Sequence, residues 1–148
     1  MEPFDSYPKN GREHLGQVKG ANCRHEYGLK FMQKTKQTKC AYCGVDFSTS
    51  FETWLTMSLD HVVPVSVCTK LGISLDKRED VTNMVLSCGA CNAFCNRYKP
   101  KEGIREPEGW EEFYDLRDRI FTERKGLIEK SRKEEETFFN KRLWEKPL

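Results

Sequence analysis

Two cysteine pairs of identical spacing, Cys40-x2-Cys43 and Cys88-x2-Cys91, stand on either side of residues 44–87. Four thiolates in two such knuckles suit a tetrahedral Zn²⁺ with Zn–S bonds of about 2.3 Å. Four protein thiolates leave no open coordination position, so a zinc held there is structural. It joins points far apart in the sequence and makes the intervening chain fold back on itself. Much of the folding energy of a small domain can reside in such an ion. The plainer reading, four buried cysteines acting as small hydrophobes, does not account for the closed two-pair pattern.

The chain has 148 residues, 37% hydrophobic and 32% charged, which predicts one domain over 1–148 with a modest core. A metal is a common supplement to a core of that size. Seven cysteines is an odd count. The opening residues, MEPFDSYPKN, lack the apolar stretch of an export signal, so a reducing cytoplasmic setting and metal ligation are expected rather than disulfides. Cys23, Cys68 and Cys95 are then unligated thiols. No apolar run approaches ~20 residues, so no membrane helix is expected. Net charge is +2 but uneven. Basic residues dominate 1–43 and 81–105, while 44–80 is net acidic. Basic flanks of this kind suit a phosphate-binding surface.

Residues 1–20 are punctuated by Pro and Gly and read as loop, in the manner of a basic arm. A helix is expected over 22–39, capped by Asn22 and weakened by Gly28. The segment TWLTMSLDHVVP reads as a strand ended by Pro64. Residues 65–82 form a long connection containing the polar run SLDKRED, suited to a surface loop or one helical turn. Residues 83–87 read as a second strand and 88–99 as a short helix stopped by Pro100. After a Gly/Pro linker, 107–146 is a helical extension in which Gly126 is a candidate break. Its recurring Trp110, Phe113, Tyr114, Ile120, Phe121, Leu127 and Ile128 predict a core-facing stripe.

Asp60 and His61 sit adjacent on the first strand, and His61 is one of three histidines. A neutral imidazole can take a proton from water. A carboxylate offers a hard oxygen to Mg²⁺ or Mn²⁺. Adjacent strand residues point to opposite faces. In-line displacement at phosphorus needs groups on opposite sides, because attacking and leaving oxygens lie across from each other. His14 and His25 have no such context and read as surface or phosphate-contacting side chains.

The ordered set CAYCG, LDHVVPVS and NMVLSCGACN, over about residues 40–100, resembles the HNH endonuclease family, the His-Me finger or ββα-metal nucleases. The resemblance implies an α+β fold: a small ββα-metal core with structural zinc, a lead-in helix before it and the helical extension after it. It implies a metal-dependent endonuclease acting on double-stranded DNA, with His61 as general base. The catalytic Mg²⁺ or Mn²⁺ would be held by Asp60 and by Asn92, the residue directly after Cys91. Asn83 would tie the loop backbone and so orient His61. Many relatives have histidine at the position of Asn92, and Cys95 stands where lysine is common. The connection from Pro64 to Asn83 is longer than usual and lacks the common Gly-Gly. Arg97, Lys99, Lys101 and Lys39, with Lys34 and Lys36 behind them, are candidate phosphate contacts. A zinc-stabilised nucleic-acid-binding module without catalysis is the alternative. A homodimer through the C-terminal helix is compatible with the sequence.

Overall fold

The computed structural model describes residues 2–8, 11–16 and 23–148. At its centre is a two-stranded antiparallel ribbon, β1 (Met57–His61) and β2 (Met84–Cys88). The register pairs Met57 with Cys88, Asp60 with Val85 and His61 with Met84. β2 is buried along its whole length, which its apolar sequence MVLSC permits. The helix α5 (Gly89–Phe94) follows β2 without a loop, and Cys88 caps it, its Sγ accepting from the Cys91 amide.

Several boundaries differ from the sequence expectation. The first strand is preceded by a helix, α2 (Phe51–Leu55), where a continuous strand was expected from residue 53. Ser50 caps this helix, its Oγ accepting from the Thr53 amide at 3.1 Å, and the cap outweighs the β propensity of Thr53 and Trp54. The lead-in helix, α1 (Tyr27–Thr35), is shorter than 22–39. It ends at Lys36, which takes a left-handed conformation (φ 61°). The expected cap Asn22 lies outside the described residues. Gly28 does not weaken α1 idly, because a Cβ there would lie 2.8 Å from the Cys23 carbonyl oxygen and 2.9 Å from Met57 Cε.

The long connection folds into α3 (Val65–Leu71) and α4 (Leu75–Arg78), followed by a 3-10 turn over Val81–Asn83. Asn83 therefore precedes β2 instead of opening it. The expected helix over 88–99 is limited to α5. The C-terminal helix α6 (Trp110–Asn140) is uninterrupted. Gly126 does not break it, since that position is exposed and the stripe continues on both sides of it. That stripe comprises Phe113, Arg117, Ile120, Phe121, Arg124 and Ile128, at three-and-four spacing. Leu127, expected on it, is 51% exposed.

The described residues of the N-terminal segment, 2–8 and 11–16, pack against the rest of the domain where a loose arm was expected. Phe4 and Leu15 are buried, Phe4 edge-on to Phe121 at 5.2 Å, and the Tyr7 hydroxyl donates to the Met84 carbonyl. Among the described residues no helix is long and apolar enough to cross a membrane.

Candidate active site and metal centre

The first knuckle is a tight hairpin. The Cys40 amide donates to the Val45 carbonyl and the Gly44 amide to the Cys40 carbonyl, both at 2.9 Å. Gly44 turns the chain with φ +80°, a conformation costly for other residues. The hairpin is tied to the ribbon by the Ala41 amide, which donates to the Leu86 carbonyl at 2.9 Å. The second knuckle is the β2–α5 junction. Together they bring the sulfurs of Cys40, Cys43, Cys88 and Cys91 within 4.8 Å of one another. Cys43 Sγ and Cys88 Sγ are 3.8 Å apart. The edge of a tetrahedral ZnS4 unit is about 3.8 Å for Zn–S bonds of about 2.3 Å, so the four cysteines are positioned to bind a metal and fit zinc.

Backbone amides and a cation surround these sulfurs. The Cys88 amide points at Cys40 Sγ (3.4 Å), and Arg132 Nη1 lies 3.9 Å from Cys91 Sγ. The Cys40 thiol, by donating to Cys88 and by burial, is pushed up to about 12. Burial and the neighbouring thiols push Cys91 up to about 12 as well, whereas the bond from Cys40 lowers Cys88. Metal binding must displace these protons, so affinity falls as the pH falls. Cys23, Cys68 and Cys95 are buried thiols outside the cluster.

Asp60 and His61 leave β1 into different surroundings. Asp60 Oδ2 accepts from the Tyr42 hydroxyl and is ion-paired with Arg124 Nη1 of α6, both at 2.9 Å. Arg124 Nη1 also lies 2.8 Å from the His61 carbonyl and 3.0 Å from that of Val62. Burial opposes the Arg124 charge, but Asp60 and Tyr42 more than offset this and hold its pKa above the ordinary arginine value. Tyr42 is held well above its usual range by burial and then by the Asp60 charge, so it remains a donor.

His61 Nε2 is 3.0 Å from Glu79 Oε1, and Arg78 Nε reaches the same oxygen at 2.9 Å. The imidazole is 18% exposed, the Glu79 side chain 3%. Asn83, wholly buried, accepts from the Val63 amide at 2.9 Å through Oδ1. Its Nδ2 donates to the Val63 carbonyl (3.2 Å) and the Arg78 carbonyl (2.9 Å). It thereby clamps the turn after His61 to the segment before Glu79. Asn92 is half-buried on α5, one residue beyond Cys91, and among the described residues its side-chain amide has no protein partner.

The candidate phosphate contacts line more than one concavity. Arg97 and Lys99 share a groove with Lys130 of α6, while Lys39 lines another concavity with Gln37 and Lys125. Lys101 is exposed in the linker, and Lys34 is paired with Glu13. His14 and His25 are exposed.

Sequence reasoning passed over Tyr42, Glu79 and Arg124. Glu79 lay in a polar run that looks like any surface loop. Arg124 carried a usable signal: with Arg117 it falls on the apolar stripe of α6, where an unpaired charge would be costly. Removing it should leave Asp60 uncompensated and two carbonyls without their donor. Arg124→Met is expected to lose about 3–5 kcal/mol of stability. Part of that loss should return in the Arg124→Met, Asp60→Asn double variant. Urea unfolding of the four species of this cycle measures it; additive losses would show that the pair is not coupled.

No curated protein and no solved structure matches the chain significantly. Residues 40–93 match the family model described as HNH endonuclease. That span runs from the first knuckle cysteine to just beyond the last and contains Asp60, His61, Asn83 and Asn92. On the sequence match and the four-cysteine cluster it encloses, the chain carries an HNH endonuclease domain at residues 40–93.

Proposed function

We propose that the protein is a metal-dependent endonuclease that hydrolyses DNA phosphodiester bonds. His61 is the general base, Asp60 and Asn92 hold a divalent cation, and zinc in the four-cysteine site holds the fold. The observation that carries this reading is the state of His61: partly exposed at the end of β1, fixed at one ring nitrogen, and adjacent to a carboxylate.

The donor set fits Mg²⁺ or Mn²⁺. Both protein partners of Asp60 fall on Oδ2, which leaves Oδ1 for a cation, and the unpartnered amide of Asn92 adds a second hard oxygen. When bound, the ion supplies positive charge for the phosphate and the departing oxygen. The chain's own contribution is positional. His61 takes the proton of the attacking water, and Asn83 and Arg124 hold the backbone on which His61 sits. Arg97, Lys99 and Lys130 offer charge to the DNA backbone.

A second reading, a zinc-stabilised nucleic-acid-binding module, is favoured by one feature. The Asp60 carboxylate is already neutralised by Arg124, as a purely structural carboxylate would be. Incubating the protein with supercoiled plasmid separates the two. The nuclease relaxes or linearises it with Mg²⁺ or Mn²⁺ and not with chelator. Binding without any metal-dependent cleavage would support the module and reject the enzyme.

A further inference from the structure

We infer that Glu79 is a positioning residue for His61: it fixes the ring so that Nδ1 is the atom presented to water. The inference rests on the nuclease reading for its consequence in turnover, though not for the contact itself.

The placement is built from the sequence upward. α4 ends as the Glu79 amide donates to the Leu75 carbonyl at 2.9 Å. The Glu79 carbonyl is held by the Leu15 amide, also at 2.9 Å. Asn83 then bonds both Val63, two residues after His61, and Arg78, one residue before Glu79. The backbone points that carry the imidazole and the carboxylate are thus fastened by a single buried amide. Glu79 Oε1 reaches His61 Nε2 at 3.0 Å from a side chain only 3% exposed.

The arrangement is expensive for mere packing. Glu79 Oε2 is buried and finds no partner among the described residues. A buried acceptor without a donor costs about 1–3 kcal/mol, more when charged. An apolar side chain of similar volume would avoid that cost. What an apolar residue cannot do is accept a hydrogen bond from an imidazole. An acceptor facing Nε2 requires the ring proton to be there, so in the neutral ring the lone pair is on Nδ1. Arg78 Nε, at 2.9 Å from the same oxygen, neutralises part of the Glu79 charge and fixes which oxygen faces the ring.

This last contact sets the test. Glu79→Leu removes the acceptor. Glu79→Gln keeps it, because Arg78 holds the amide oxygen, not the NH2 group, toward both donors. On the full zinc-loaded chain, long-range ¹H–¹⁵N correlation with the imidazole neutral should report the Nε2–H form of His61 in the parent. In Glu79→Leu it should report a mixture of tautomers. Plasmid cleavage by Glu79→Leu should lose about 10–100-fold in kcat with KM little changed, and Glu79→Gln should recover most of that loss. A folded Glu79→Leu with the parent's tautomer and kcat overturns the inference. So does an Nδ1–H tautomer in the parent, a measurement that needs no variant to fold. If the parent shows the expected tautomer and the leucine variant loses it, but neither cuts DNA, the contact stands and the nuclease reading fails.

Discussion

His61→Ala should lower the rate of plasmid cleavage by about 10²–10⁴-fold, the usual contribution of a positioned general base. No other described group is placed to take over. His14 and His25 are exposed and lie off β1, outside the ribbon that carries Asp60, and Glu79 is buried with a side chain only 3% exposed. The fold should survive, because His61 is the partly exposed last residue of β1 and the Asn83 clamp bonds to backbone atoms of Val63. Stability should fall by only about 1–3 kcal/mol, since Glu79 loses one partner but keeps Arg78. The measurement is single-turnover cleavage with Mg²⁺, beside a melting curve and a zinc determination on the same sample. A folded, zinc-loaded His61→Ala protein that cuts as fast as its parent would remove the basis for the mechanism.

The second large effect belongs to the knuckles. Cys40→Ser, or extraction of the metal by a strong chelator, is expected to abolish the cooperative unfolding transition of the core. Structural zinc contributes an apparent ~10–16 kcal/mol in small domains, as much as the ~5–15 kcal/mol that holds a typical protein together. The local structure explains why little would remain. A two-stranded ribbon is marginal by itself, and the first knuckle meets β2 through few backbone bonds, among them Ala41 to Leu86 and Cys88 to Cys40 Sγ. Without the ion, the two hairpin ends lose their shared anchor. α6 would retain helicity while the signals of Tyr42 and Trp54 lose their fixed environment. Circular dichroism melting together with metal analysis checks this. A purified protein with no tightly held zinc and an unchanged melting curve would show that the cluster is only a group of buried thiols.

The four-cysteine cluster was legible in the sequence. Equal spacing of two cysteine pairs is a chemical constraint, and it called for a four-thiolate cluster. Asp60, His61, Asn83 and Asn92 became candidates through the order of short motifs between and after those pairs, which resembles the HNH family. Local boundaries were less legible. Thr53 and Trp54 have strand propensity, yet Ser50 draws them into a helix by satisfying an amide that a strand would pair elsewhere. Gly126 looks like a break in a helix whose stripe, anchored on both sides by Arg124 and Ile128, carries through it.

The sequence by itself determined the four-cysteine cluster and named Asp60, His61, Asn83 and Asn92 as candidates, because metal ligation and proton transfer need particular atoms at particular spacings. Only the tertiary structure decided what surrounds those atoms. Glu79 and Arg124 lie far from His61 and Asp60 along the chain, and nothing local marks them as partners. They meet because Asn83 folds the 62–83 loop onto itself and α6 lays its stripe over the ribbon. Burial then turns two ordinary charges into groups whose pairing sets the geometry, since a charge removed from water must be met by another.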